Sequence, residues 1–448
     1  MSEETLPKRV DAPAFKELGE IGLKQTTGSV YEEFVPMLRW PKAGEVYLEM
    51  SSNDPVITAI LLCSRQLIRN VTWEVKPVSS SAEDLQKAEF LKSCMHDMSM
   101  TWSDLIDEVT SSFEYGFAYH ELVYKRRMGN SNNPHHNSRY SDGAIGWRKI
   151  AGRAQTSMQS WQFDKEGGIQ GMNQYVSQGI VFIPITKALL FRTTMKRGNP
   201  EGRSFLRGAY RPWYFKKHIE EIEGIGIERD LAGLPVVTAP PGVDIFDADN
   251  PKAVEAKNAA LSLVISIRRD RNEGVVLPEG WKLELLSASG TRQFDTSNII
   301  NRYDQRIAIT MLADIVMLGA DKVGSFALAE VKQSMLSASL DAQLKSICDV
   351  FNTYAVPRLF ELNGYPIEQL PTIVASPVVA PNLKELGTYI NDLAGAKMPL
   401  FPDVDLENYL RRVASLPETT EDDEARTERI ERSSQTKSEP IKKGGEEE

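Results

Sequence analysis

The run GADKVGS, Gly319 to Ser325, follows the apolar stretch DIVML and imitates a phosphate-binding loop. Such a loop needs GxxxxGK[ST], because its lysine reaches the outer phosphates and its hydroxyl holds magnesium. Here Ser325 follows Gly324 directly and the lysine is displaced to Lys322, with Asp321 beside it. A glycine-hinged loop between helices is therefore expected instead of a nucleotide site. EGIGIE, Glu223 to Glu228, contains GxG, but Arg229 stands where a dinucleotide fingerprint needs its third glycine. Gly224 and Gly226 lie inside a helical pattern, where they would serve a bend or close helix packing. DIFDADN, Asp244 to Asn250, clusters three carboxylates without the glycine and distal glutamate of a calcium loop, and reads as a solvated turn. His135 and His136 sit in the polar loop GNSNNPHHNSRYSDG with no partner at zinc-ligand spacing. No GxSxG, HExxH or paired-carboxylate signature occurs. The expectation is a protein with no catalytic residues, no cofactor and no metal.

What remains is a helix of unusual length and charge. NPEGRSFLRGAYRPWYFKKHIEEIEGIGIERDLAGLPVV, Asn199 to Val237, is basic and aromatic in its first half and acidic in its second. A helix from Pro212 to Asp230 alone would span about 28 Å at 1.5 Å per residue. A second helical stretch, TRQFDTSNIINRYDQRIAITMLADIVML, begins at Thr291, with Ile299, Ile300, Tyr303, Ile307 and Met311 in its apolar stripe. If the helices at 204–232 and 291–318 are antiparallel neighbours, the segment between them sits at their far tip. Body, stalk and tip in one chain suit a subunit packed side by side with copies of itself.

The elements that would hold this pair are legible in outline. NDPVITAILLCSRQLIRNV starts a helix, with Asp54 as N-cap and Pro55 in the first helical position. TWEVKPV alternates as a strand. SAEDLQKAEFLKSCMHDM and TWSDLIDEVTSSFEYG read as amphipathic helices, the second closed by Gly116. FAYHELVYKRR is a strand, and WRKIAG, SMQSWQFD, GIVFIPI and ALLFRTT are further short strands. Residues 1–50 read as loop-like. GVVLPEGWKLELLSAS reads as two strands around a turn at PEG, and a long helix starts at Phe326. The last folded segment, 382–416, reads as helical. The fold class expected is α+β.

Bulk properties narrow the partners. The chain has 448 residues and a formal net charge of −10, and half of that excess lies after Leu416, where 11 acids face 6 bases with few apolar residues. That tail is expected to be disordered, because it cannot bury enough surface to offset its ordering entropy. A protein that grips DNA by neutralising phosphates is usually basic, so loose enclosure of DNA suits this chain better than avid binding. No apolar run has the length of a membrane span, and MSEETLPKRVDAPAFKELGE lacks the apolar core of a signal peptide. The three scattered cysteines, Cys63, Cys94 and Cys348, fit a reduced compartment.

Taken in order, these motifs resemble the portal proteins of tailed bacteriophages, most closely the Mu-like group. The resemblance covers most of residues 45–416. YLEMSSNDPVITAILLCSRQLIRNVTWEVKP is similar to the family's opening, SSFEYGFAYHELVYKRR to its Tyr-Gly strand entry, and FDKEGGIQG to its hairpin. NPEGRSFLRGAYRPWYFKKHIEEIEGIGIERDLAGLPVV resembles its Asn-Pro-x-Gly, Trp, Lys and Glu-Arg…Gly-x-Pro pattern, with Ala232 before Gly233 as a departure.

The resemblance implies an N-terminal arm (1–44), a wing (45–203), two stem helices (204–232 and 291–318), a clip (233–290), a tunnel loop (319–326), wing and crown helices (327–416) and the acidic tail (417–448). It further implies a ring, typically of twelve copies, at one vertex of the virion capsid and assembled in the host cytoplasm. Double-stranded DNA would pass through its channel. The terminase large subunit, head-completion or adaptor proteins, and the major capsid and scaffolding proteins would be its partners, with no membrane.

Candidate residues follow from this reading. Gly319, Asp321, Lys322, Gly324 and Ser325 form the tunnel loop. Lys216, Lys217, Glu220, Glu221 and Glu223 form the stem or channel wall, the acids either repelling DNA or pairing with basic residues of the next subunit, while Arg207, Arg211, Trp213 and Lys216 read mainly as the junction where the stalk leaves the body. Arg268, Arg269 and Arg271 lie in the clip and could contact DNA or the acidic face of a neighbouring subunit, the latter being preferred. A packaging or remodelling ATPase built on GADKVGS, and a scaffold without a channel, are the alternatives.

Overall fold

The computed structural model describes residues 22–232, 234–266, 276–286, 295–311, 326–379, 383–396, 398, 403–414 and 416. The chain is mixed helix and sheet, as expected, and divides into two compact units, the first ending at Ser376. A short hairpin, β1 (Gln25–Thr26) and β2 (Ser29–Val30), leads to helix α1 (Lys42–Asn53). This helix is a correction to the loop expected before residue 50. Ala43, Val46, Tyr47 and Met50 are buried at the i, i+3, i+4, i+7 spacing of one helical face. Gly44 and the closing Ser-Ser-Asn, weak helix formers, mask that face in the sequence.

Asp54 ends α1 and begins α2 (Pro55–Arg69), its Oδ1 accepting from the amides of Val56 and Ile57 at 3.0 and 3.1 Å. Strand β3 (Trp73–Lys76) and helices α3 (Ala82–His96), α4 (Trp102–Val109) and α5 (Ser111–Tyr115) follow, the last two separated only by Thr110. Strands β4 (Phe117–Arg126), β5 (Ile145–Arg153), β6 (Met158–Phe163), β7 (Ile169–Val176), β8 (Gly179–Pro184) and β9 (Ala188–Arg192) form two antiparallel sheets, ordered β5-β4-β9 and β6-β7-β8. Strand β7, beyond the DKEGG turn, is one the sequence reading lacked.

The period-two alternation of β4 explains how it serves two cores. Phe117 and Tyr119 face the second sheet and pack with Trp161, Met172 and Ile183. Ala118 and His120 face the other way, where His120 meets the Phe191 ring edge-on and Phe191 in turn meets Phe351. His120 is a buried core histidine, and desolvation alone pushes its pKa down to about 3.

The remaining elements of the first unit are α6 (Leu206–Ala232), β10 (Leu234–Thr238), α7 (Pro251–Ser266), β11 (Lys282–Leu286), α8 (Thr296–Thr310), α9 (Phe326–Val350), α10 (Val356–Leu362) and β12 (Thr372–Ala375). One π-helical turn, Phe351–Ala355, joins α9 to α10 immediately before Pro357, whose missing N–H cannot continue the ladder. Strand β11 pairs with β10 and not with Val276–Pro278, which corrects the hairpin expected around PEG. Strand β12, also absent from the sequence reading, pairs antiparallel with β3 across nearly three hundred residues. The second unit holds α11 (Leu383–Gly395) and α12 (Val404–Val413), helical as expected.

Candidate functional site: the root of the long helix pair

Helices α6 and α8 pack antiparallel. Lys216 reaches Asp304, Glu223 meets Thr296, and Gly208 lies against Thr310, so positions rise on one helix as they fall on the other. Gly208 has a steric reason, since a Cβ there would lie 2.3 Å from the Thr310 methyl carbon.

The chain enters α6 through a backbone contact that only glycine permits. Gly116 closes α5 at φ +95° and Gly202 turns the incoming loop at φ +58°. A Cβ on Gly202 would sit 2.1 Å from the Gly116 carbonyl oxygen, and one on Gly116 would sit 2.6 Å from that of Glu201. Phe205 N–H donates to the Phe113 carbonyl at 2.9 Å, and the two rings stack with centroids 4.9 Å apart. The Tyr-Gly and Asn-Pro-x-Gly stretches noted in the sequence are therefore two halves of one joint.

Above this joint lies the feature that the sequence concealed. Lys216 is only 2% exposed, and its Nζ lies 2.6 Å from Asp304 Oδ1, 3.0 Å from Asp54 Oδ2 and 3.8 Å from Glu220 Oε1. Asp54 uses one oxygen to cap α2 and the other to hold this lysine. One ammonium thus ties α2, α6 and α8 together. Burial works to lower the Lys216 pKa, but the Asp304 and Asp54 carboxylates outweigh it and raise the value above 10.5. Burial also works to raise the Glu220 carboxyl, and Lys216 only partly offsets that, so its pKa is raised.

Two further ion pairs fasten the start of α6. Arg207 grips Glu33 by one guanidinium edge, Nε and Nη2 donating to Oε2 and Oε1, the latter at 2.8 Å, and its guanidinium carbon lies 5.2 Å from the Phe34 ring centroid. Burial works to raise Glu33, yet Arg207 holds its carboxyl below the ordinary value. Lys217 pairs with Glu49 on α1. Beside the Arg207–Glu33 pair is a cavity of about 330 Å³ lined in part by Trp40, Tyr47, Tyr115 and Glu201. Burial pushes the Glu201 carboxyl up to about 8.

Among the residues expected on the stem, Lys216 and Glu223 are drawn into the α6–α8 contact, Glu220 lies one turn along α6 from Lys216 beside Glu49 and Asp54, and Lys217 pairs with Glu49 on α1. Lys216 is buried, with its charge paired inside the subunit where the long helix leaves the body. Glu220 and Glu221 are both exposed, and Glu221 lies on the side of α6 away from Lys216. Gly319, Asp321, Lys322, Gly324 and Ser325, and likewise Arg268, Arg269 and Arg271, lie outside the described residues. A Cβ on Gly224 or Gly226 would meet nothing within 4 Å, which corrects the close packing expected of them within one chain. Asp244 and Asp247 turn their carboxylates onto the amides of Phe246 and Asp249, as a solvated turn does. Asp304, Glu33 and Glu49 were missed. Partners so distant along the chain carry no periodic signal, although the N-cap role of Asp54 was legible.

Among the described residues, no group of three or more histidine, cysteine, aspartate or glutamate side chains is placed to hold a metal ion, and no helix is long and apolar enough to cross a membrane. The arrangement's chemistry is electrostatic fastening: a long helix pair rooted in a body by paired charges.

A family model described as the portal protein of Mu bacteriophage matches residues 44–413. Among solved structures, a chain of the virion of a native gene transfer agent particle is 12% identical, with a TM-score of 0.48, over 85% of this chain and 95% of that one. A chain from the neck of the native particle, computed with C12 symmetry, is 12% identical, with a TM-score of 0.47, over 84% and 94% of the two chains. A chain from the neck of the empty particle, computed with C6 symmetry, is 11% identical, with a TM-score of 0.46, over 84% and 94%.

Proposed function

Because the chain belongs to the family of Mu bacteriophage portal proteins, we propose that it is one subunit of a ring, of twelve copies, that forms the DNA channel at a single capsid vertex. The observation that carries this reading is the family match across residues 44–413. In it, residues 45–203 are the wing, 204–232 and 291–318 the stem, 233–290 the clip, 319–326 the tunnel loop and 327–416 wing and crown. Double-stranded DNA passes through the ring during packaging and ejection. The terminase large subunit docks on the clip first, and head-completion proteins take its place. The subunit itself hydrolyses nothing.

The geometry supports a conduit in two respects. A channel that lets DNA slide must not hold it, and a chain of net charge −10 offers little phosphate neutralisation. A wall under load must not swing on its base, and the buried Lys216 cluster and the Arg207–Glu33 fork both oppose that motion. Electron micrographs of the purified protein test the reading directly. Closed rings with a central hole are expected, whereas monomers or dimers under assembly conditions would overturn it.

A further inference from the structure

The cavity beside the Arg207–Glu33 pair carries polar groups that nothing in the chain uses. Tyr47 is only 5% exposed, yet among the described residues its hydroxyl has no hydrogen-bond partner. Buried hydroxyls are normally paired, so one left over on a cavity wall calls for an occupant. The Asn199 side-chain oxygen accepts from the Glu201 amide at 2.9 Å, which leaves its NH2 group without an acceptor among the described residues. The Thr194 hydroxyl is likewise without a partner there. Leu38, Trp40, Tyr47 and Tyr115 supply apolar wall, and about 330 Å³ is room for one small ring and its substituent.

Charge decides which occupant. Two of the three carboxylates lining the cavity are already matched, Glu33 by Arg207 and Glu32 by Arg197 at 3.4 Å. The third, Glu201, is mostly neutral at pH 7, because burial pushes its carboxyl up to about 8. Lys196 and Arg203 are exposed at the mouth, and among the described residues neither forms an ion pair. The cavity therefore keeps two uncompensated positive charges in a chain of net charge −10. The loop that carries them is closed at its base. There Arg203 N–H donates to Thr193 Oγ1 at 3.2 Å, and that hydroxyl donates to the Arg203 carbonyl at 2.6 Å. The Tyr47 hydroxyl feels the charges of Arg207, Glu33, Glu201 and Arg203, so these four side chains converge on it.

We infer that this cavity binds an amphiphilic anion, its apolar group seated among Trp40, Tyr47 and Tyr115 and its anionic head held at the mouth by Lys196 and Arg203. The inference stands apart from the ring reading and does not depend on it. Asn199 and Thr194 add neutral donors to the head, and the two cations add charge-assisted ones. A phosphate ester and a carboxylate share this chemistry. Filling the cavity strips water from Glu201 and makes its charged form costlier, so ligand binding and Glu201 ionisation oppose each other. The titratable groups facing Glu201 do not blur that effect. Arg207 holds Glu33 below its ordinary value, Glu33 raises Arg207, and burial raises Tyr47 and Tyr115. Glu32, Lys196 and Arg203 are the other charged groups on the wall.

Titration calorimetry on the full chain with phenyl phosphate and 3-phenylpropionate tests the site. At least one of these anions is expected to bind at pH 7, and benzyl alcohol, a similar ring without the charge, about tenfold more weakly or worse. A preference between the two anions assigns the head as phosphate or carboxylate. Arg203→Gln and Lys196→Gln should each weaken binding about tenfold, and both side chains are exposed, so folding is spared. Lys165→Gln, on the exposed hairpin turn, should leave it unchanged. Raising the pH from 7 to 9 carries Glu201 through its ionisation and should weaken binding about tenfold, whereas Glu201→Gln should bind equally at both values. Binding of neither anion, or equal binding of benzyl alcohol, would overturn the inference. So would inorganic phosphate binding as tightly as phenyl phosphate, which marks an adventitious ion only. A loss in Lys165→Gln as large as in Arg203→Gln, or an affinity in the native chain that ignores pH, counts against it equally.

Discussion

Replacing Lys216 with methionine removes one charge and little volume, and leaves Asp54 and Asp304 facing each other in a buried site with Glu220 alongside. At an effective dielectric of about 20, the gross attractions at the distances found run from roughly 4 to 6 kcal/mol each, and desolvation offsets most of that sum. What the variant feels is the uncompensated burial of two carboxylates, about 3–5 kcal/mol. Urea unfolding should therefore show a large drop in midpoint with an unchanged slope. The variant should also show a distinctive pH response. Its remaining carboxylates take up protons in the folded state, so its stability should rise as pH falls from about 7 to 5. The native protein behaves differently, because its Lys216 pKa is raised above 10.5. The stabilisation from Lys216 is fully present below that value and is lost only as pH rises through the folded pKa. A second variant, Lys216→Met with Asp304→Asn, should lose less than the sum of its parts, because it removes the charge left stranded. Strict additivity, or a Lys216→Met midpoint within about 0.5 kcal/mol of native, would refute the claim that this lysine pins three helices.

Other outcomes follow from single contacts. Asp54→Asn should retain the cap on α2 yet lose the charge pairing, so Asp54→Ala should be less stable than Asp54→Asn by about 1 kcal/mol in urea unfolding. Gly202→Ala must accept a left-handed backbone and a clash with the Gly116 carbonyl, costing roughly 2 kcal/mol or more by the same assay. Glu201 has its folded pKa raised to about 8 from 4.5, so the folded state holds the extra proton between those values. Stability should fall with rising pH across that window, by up to about 1.4 kcal/mol per unit, and Glu201→Gln should flatten the slope of Tm against pH.

Local chemistry made parts of the helix root legible in advance and left others hidden. Asp54-Pro55 announces a helix start wherever it occurs, because the cap bonds reach only two or three residues along the chain. Gly116 after Tyr115 announces a stop for the same kind of reason. Helix α1 was hidden by its glycine and serines although its buried face has helical spacing, since packing against the rest of the body overrides weak propensity. Strand β12 shows no signal because its partner, β3, lies far away in sequence. The tandem glycines of α6 invited a packing role that no neighbour within the chain fulfils.

By itself, the order of residues determined the α+β class, the long helix α6, a helical stretch that includes Thr296–Thr310, the absence of a recognisable catalytic signature and the likeness to portal proteins. Each of these rests on periodicity, caps and ordered motifs that act over a few residues. Only the tertiary structure decided where the charges of α6 go. Lys216, expected at the junction where the stalk leaves the body and on the stem wall, is a buried pin, and Glu223 reaches α8 while Glu220 and Glu221 stay exposed. The physical reason is that a charge's role depends on what lies within a few ångströms of it. For Lys216 the deciding carboxylates arrive from positions 54 and 304, which no local pattern connects to it.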